Sequence, residues 1–227
     1  MIDFYFHATP NSMKVALLLQ ELELPCTVKP VDIFKGEQHS KAFKAINPNA
    51  KVPAIVDGRT TVFDSHAILL YLADKHGTFM PEDRTEYATM LSWLQLVATG
   101  LSPFSGQAIH FMHYAPEQIP YAINRYTREV ERHYTVLDER LAQSRYLAGD
   151  RYTIADIALW GWAASAGYIF GADGLAAYPN VERFMAGMAV RPAVQRALEM
   201  KAAHTFKAEL DAQSRKAMFP QNELEPA

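Results

Sequence analysis

The sequence predicts an α/β half followed by an all-α half. Three observations carry this. Residues 1–78 alternate short apolar runs with helical patterns in the order β-α-β-α-β-β-α. Residues 77–83, GTFMPED, carry the Gly and Pro punctuation of a linker. Every patterned segment beyond that linker has helical spacing.

The elements follow in order. Residues 2–6, IDFYF, read as a buried strand. Residues 12–22 are strong helix formers, with Asn11 or Ser12 as the expected cap. Residues 26–33, CTVKPVDI, read as a second strand, and Pro30 places it at or near a sheet edge. A short helix is expected over 40–45, closed by the turn residues NPNAK. KVPAIVDG and TTVFD form a hairpin about Asp57-Gly58. A helix over 65–75 is expected to start at Ser65 as its cap. This is the thioredoxin-like order. Long helices are expected over 86–107 and 118–141. The segment RYTIADIALWGWAASAGYI is the most apolar helix, opened by a capping box from Thr153 to Asp156. Two shorter helices follow, split at Arg191-Pro192. The expected division is 1–78 for the thioredoxin-like domain, 86–210 for the all-helical domain, and 211–227 for a polar, partly mobile tail.

Composition narrows the function. The chain has 227 residues, of which 49% are hydrophobic, enough for a sizeable core. Its net charge is -3 without a long basic run, so neither nucleic acid nor an anionic membrane is an expected partner. Its one cysteine, Cys26, rules out an internal disulfide and fits a reducing compartment. MIDFYFHATPN lacks the pattern of a signal peptide, and a cytoplasmic location is expected.

Three places carry chemistry. The turn after the first strand reads Thr9-Pro10-Asn11-Ser12, where a thiol-redox domain would place two cysteines around a proline. Hydroxyls and an amide at a helix start suit a thiolate that belongs to a ligand. A free thiol titrates near ~8.5; lowering that to ~6.5 would ionise roughly three quarters of it at pH 7. Next, Val52-Pro53 precedes a strand. A cis bond there, costing only about 0.5–1 kcal/mol, would turn the Val52 backbone outward to pair with an extended peptide; a trans proline opening a strand is the plainer alternative. Last, Asp64-Ser65 stands at a helix start. The free N–H groups and Ser65 hydroxyl suit a carboxylate, and Asp64 suits an ammonium. Together they fit the α-amino-acid end of a ligand; alone, each of these turns is an ordinary helix cap.

The segments TPNSMKVALLLQELEL, NPNAKVPAIVDG, VFDSHAILLYLADK and YTIADIALWGW resemble a cytosolic glutathione transferase over nearly the whole chain. More narrowly, TPNSMK, GEQHS, GQAIHFMHYAP, IPYAINRY and AGDRYTIADIA resemble the bacterial nu-class and its relatives in the fungal nitrogen-regulator branch. The resemblance implies a glutathione transferase fold, a homodimer, and glutathione as substrate, reduced or oxidised, in a glutathione-dependent disulfide-bond oxidoreductase acting on small thiols and disulfides. It places Thr9 and Asn11 near the glutathione sulfur as catalytic residues. Gln38 falls at a glycyl-carboxylate contact, Lys51 at a basic contact, and Val52 with Pro53 at the backbone clamp. Asp64 and Ser65 fall at the γ-glutamyl contacts, with Asp where many relatives have Glu. Arg125 matches an arginine that reaches glutathione from the neighbouring subunit. No catalytic tyrosine, serine or cysteine occupies the position used by other classes.

Other candidates have plainer readings. Cys26 is an inert structural thiol. His110 and His113 have metal-like i, i+3 spacing but no companion ligand, so no metal is expected. With Phe104, Gln107 and Phe111, His110 instead suggests a second-substrate pocket. The aromatics of ALWGWAASAGYIF are expected in the core. Two rival functions stay open: a transferase that conjugates small electrophiles, and a non-catalytic glutathione-binding regulator.

Overall fold

The computed structural model describes residues 1–222. A four-stranded sheet has the order β2-β1-β3-β4, with β1 Ile2–Phe6, β2 Cys26–Pro30, β3 Ala54–Asp57 and β4 Thr60–Phe63. β1 runs parallel to β2 and antiparallel to β3, and β3 to β4 is the expected hairpin. Pro30 ends the edge strand, where its missing N–H leaves no gap in the ladder. Helices α1 (Pro10–Glu21), α2 (Lys41–Ile46) and α3 (Ser65–His76) complete this half.

Two caps differ from expectation. Thr9, not Asn11 or Ser12, caps α1, its hydroxyl accepting from Ser12 N at 3.2 Å. Pro10 fits the first helical position because its absent N–H would have been unpaired there. Asp64, not Ser65, caps α3, accepting from His66 N at 2.9 Å and Ala67 N at 3.2 Å. Asp64 does so at φ 73°, a strained left-handed conformation for a residue with a Cβ.

The remainder of the chain is helical: α4 (Arg84–Leu96), α5 (Ser102–Ile109), α6 (Pro120–Gln143), α7 (Ile154–Ala163), α8 (Gly167–Phe170), α9 (Pro179–Ala189), α10 (Pro192–Ala202) and α11 (Ala212–Met218). A π-helical turn, Val97–Leu101, joins α4 to α5. It widens the ladder just ahead of Pro103, whose ring would otherwise meet the carbonyl one turn back. Every residue of α7 is buried. Its start is the expected capping box, with Asp156 accepting from Thr153 N at 2.8 Å and Thr153 Oγ1 at 3.0 Å. The same carboxylate accepts from Leu147 N at 2.8 Å.

The two halves share one core. α1 packs against α3 of its own half and against α7 and α10 of the helical half. Gly161 makes that approach possible. A Cβ there would lie 2.5 Å from Lys14 Cγ and 2.6 Å from the Pro10 carbonyl oxygen. At the far end of α1, Arg191 grips Glu21 with two bonds of 2.6 and 3.0 Å.

The expected polar tail is in part a docked helix. Asp211 caps α11 by accepting from Ser214 N at 2.7 Å, and Ser214 is fully buried. Near its end, the Ala217 carbonyl accepts from Gln38 Nε2 at 3.0 Å and lies 3.0 Å from His39 Nε2. The helix itself docks through backbone carbonyls and a serine, with Phe219 just beyond it packed on His110 and Tyr114, so no apolar stripe in the sequence announces it. Residues 223–227 of that tail lie outside the described residues.

Candidate functional site

A cleft opens where β1 meets α1, β3 and α3. It consists of two adjoining hollows that share Asn11, Lys51 and Val52. The first, about 250 Å³, adds Asn47, Asn49, Pro53, Phe63, Asp64 and Ser65. The second, about 180 Å³, adds Thr9, Ile33, Gln38, Ala50, Met218 and Phe219. The Val52-Pro53 bond is cis. Among the described residues, nothing pairs with the backbone N–H or C=O of Val52.

Asn11 sits at the junction of the hollows. Its Oδ1 accepts from Lys14 Nζ at 2.9 Å and from Trp162 Nε1 at 3.2 Å. An indole N–H can only donate, so the oxygen must face inward. The amide nitrogen is thereby left as Asn11's free donor, and no partner for it lies among the described residues. Behind Asn11, Lys14 is wholly buried. Besides Asn11, its ammonium reaches Ser102 Oγ at 3.1 Å and His66 Nε2 at 3.4 Å. Three N–H groups thus meet three neutral acceptors. Burial brings the Lys14 pKa down to about 7, against the opposing pull of the Asp64 carboxylate. Burial, and then the Lys14 charge, take His66 down to about 3. A neutral His66 protonated on Nδ1, which lies 3.4 Å from Ser65 Oγ, leaves Nε2 free to accept from Lys14.

The chemistry open to such a site is anion stabilisation without a protein nucleophile. Thr9 and Asn11 line it at the start of a 12-residue helix whose dipole favours negative charge. Cys26 stands at the start of β2 and lines neither hollow, and burial raises its pKa. Among the described residues, no group of three His, Cys, Asp or Glu is placed to hold a metal ion.

A family model described as "Glutathione S-transferase, N-terminal domain" matches residues 8–75, and one described as "Glutathione S-transferase, C-terminal domain" matches residues 120–187. The disulfide-bond oxidoreductase YfcG of Escherichia coli (strain K12) is 44% identical over 205 residues, covering 87% of this chain and 94% of that protein. The chain belongs to the glutathione S-transferase family. A second relative, the disulfide-bond oxidoreductase YghU of the same organism, is 44% identical and covers 86% of this chain and 73% of its own length. Among solved structures, a glutathione transferase YghU from Streptococcus pneumoniae, complexed with glutathione, superposes with a TM-score of 0.83 at 39% identity. That match covers 91% of this chain and 84% of the other. A glutathione transferase from Pseudomonas putida, with one glutathione disulfide bound per subunit, gives a TM-score of 0.82 at 31% identity, covering 88% and 91%.

In this glutathione S-transferase the expected residues fall into three groups. Thr9, Asn11, Gln38, Lys51, Val52, Pro53, Asp64 and Ser65 all line the cleft. Gln38 does so with its amide already engaged, donating to the carbonyls of Ile33 at 3.3 Å and Ala217 at 3.0 Å. A carboxylate bound by that amide would have to displace one of these carbonyls. The four residues expected around a second substrate line neither hollow. Phe111 stacks on Tyr126 of α6 with centroids 5.5 Å apart, and Phe104 packs on His133 of α6 at 5.4 Å. Gln107 is exposed. His110 stands edge-on to Phe219 at 4.7 Å, so it supports a lining residue of the second hollow. Arg125 lies on α6, lines neither hollow, and pairs with Glu129 at 2.9 Å. Sequence reasoning missed Lys14, His66, Ser102 and Trp162, together with Met218 and Phe219. One signal was available: Lys14 follows Asn11 by three positions, on the same helical face, immediately before the apolar run 15–19.

Proposed function

We propose that this protein is a glutathione-dependent disulfide-bond reductase acting on small or mixed disulfides. The observation that carries the reading is the free amide donor of Asn11 at the helix start, in a cleft whose walls contain no sulfur nucleophile. Reducing electrons must then come from bound thiols. The thiolate of one glutathione attacks a disulfide R–S–S–R′, forming a glutathione–R mixed disulfide and releasing R′S⁻. A second glutathione thiolate attacks that mixed disulfide, giving oxidised glutathione and RS⁻. Two thiols are oxidised and one disulfide is reduced, and both leaving thiolates take up a proton. Thr9 and Asn11 hold and stabilise the attacking sulfur. Lys51, the Val52 backbone, Asp64 and Ser65 hold the peptide part, and two adjoining hollows give room for a second thiol or disulfide. In this proposal residues 1–78 form the glutathione-binding domain and 86–210 the helical domain. The chain works as a cytoplasmic homodimer in which Arg125 completes the site of its partner.

A paired assay with glutathione tests this. One arm offers a small dialkyl disulfide, the other an aryl halide. Fast turnover in the first arm alone is the expected result. Turnover in the second arm alone would replace the proposal with a conjugating transferase. Silence in both, with glutathione bound, would leave a regulator. Cys26→Ser should keep disulfide reduction within about tenfold of wild type, equivalent to about 1.4 kcal/mol in the barrier. A larger loss with the fold intact would bring a protein thiol into the mechanism.

A further inference from the structure

The cluster behind Asn11 joins two halves of the chain around one charge. Lys14 comes from α1, His66 from α3, Ser102 from α5 and Trp162 from α7. The indole of Trp162 also lies under the ammonium, 5.9 Å from Nζ to ring centroid. A buried ammonium is costly unless paired with an anion. Here the three contacts are an amide oxygen, a hydroxyl and an imidazole, all neutral. Asp64, on the cleft wall, is the carboxylate whose field reaches it. The groups that reach the ammonium from the contacting helices are Ser102 of α5, Trp162 of α7, and His66 of α3 with the capping residue Asp64. One of the three N–H groups leads through Asn11 directly to the cleft.

We propose that Lys14 is a positioning residue for the thiolate, locking the Asn11 amide with its nitrogen toward the cleft and supplying the positive charge that the bound sulfur anion balances. This rests on the reading of the cleft as a glutathione site. The arrangement is the reverse of a structural ion pair, because the counter-ion arrives with the ligand. Linkage makes the effect mutual: a thiolate in the cleft must raise the proton affinity of Lys14 by as much as the lysine charge favours the thiolate.

The test uses the full-length protein and the ultraviolet absorbance of thiolate in bound glutathione. Wild type should bind glutathione with its thiol pKa well below that of the free tripeptide. Lys14→Met keeps an unbranched side chain, one atom shorter, and removes its charge. It should raise the bound thiol pKa by about one unit or more and cut disulfide reduction near neutral pH roughly tenfold. Its thermal midpoint should equal or exceed that of wild type, since an apolar replacement for a buried charge is often neutral or stabilising. Trp162→Phe removes the other donor to Asn11 but leaves the charge, and should shift the thiol pKa less. An unshifted thiol pKa in Lys14→Met overturns the proposal while leaving glutathione chemistry standing. So does an equal shift in both variants, which would assign the effect to amide orientation alone. Failure of wild type to bind glutathione, or to lower its thiol pKa, overturns the functional reading and this inference with it. Should Lys14→Met not fold, nitrogen-label NMR of Lys14 in wild type decides. Its pKa must rise when glutathione binds, and an unmoved value overturns the proposal.

Discussion

Asp156→Ala is expected to unfold the helical half or leave it without a cooperative melting transition. The carboxylate is fully buried and accepts three hydrogen bonds, from Leu147 N, Thr153 N and Thr153 Oγ1. Alanine leaves all three donors without a partner and away from water. At about 1–3 kcal/mol for each unsatisfied buried group, the loss is comparable to the 5–15 kcal/mol stability of a typical domain. The site cannot relax by admitting solvent, because α7 is buried along its whole length and packs against α1, α3, α4 and α9. Asp156→Asn should recover only part of the loss, since its amide nitrogen would face a donor. Chemical denaturation followed by circular dichroism measures the effect. An unfolding free energy within about 1 kcal/mol of wild type would show that the cap is replaceable.

Asn11→Ala should have the largest effect on turnover. Its amide nitrogen is the donor at the junction of the two hollows, and loss of one well-placed donor to a developing or resident anion costs about 2.7–4 kcal/mol, roughly 10²–10³ in rate. Glutathione affinity should fall far less, because Lys51, Val52, Asp64 and Ser65 hold the peptide part. Asn11→Asp separates two roles. A carboxylate would pair with Lys14, so the fold should hold, yet it would place an anion beside the attacking sulfur. Disulfide reduction should therefore fall at least as far as in the alanine variant. Steady-state kinetics with a dialkyl disulfide and calorimetric titration of glutathione give both numbers. Equal weakening of binding and turnover in Asn11→Ala would show that the side chain only positions the tripeptide.

Where the signal was local, the sequence carried the fold. Alternating apolar runs, Pro30 at an edge, Asp57-Gly58 in a hairpin and the Thr153–Asp156 box each act within a few residues. The caps of α1 and α3 were misplaced by one to three positions because adjoining residues could all serve as caps. Pro10 and the left-handed backbone at Asp64 decided between them. The lining of the cleft was legible through short turns at Thr9–Asn11, Lys51–Pro53 and Asp64–Ser65. Lys14 was not, because a lysine on a helix normally means a solvated face. Only tertiary packing, which brings Ser102 and Trp162 against α1, turns it inward. Gln38 shows the same limit from the other side. Its place at the cleft was readable, but its engagement with Ala217 depends on a helix docked by backbone groups.

The glycine beneath Lys14 has a consequence for how such a chain can vary. Position 14 lies on one half, and 102, 161 and 162 on the other, so the seam works as a compatibility code. Grafting a foreign helical half that lacks the hydroxyl and indole would strand a charge at the seam. Grafting one with a side chain in place of Gly161 would drive a carbon into the lysine stem. The two halves are therefore inheritable as a matched set, and recombination between distant relatives should succeed only when all four positions travel together.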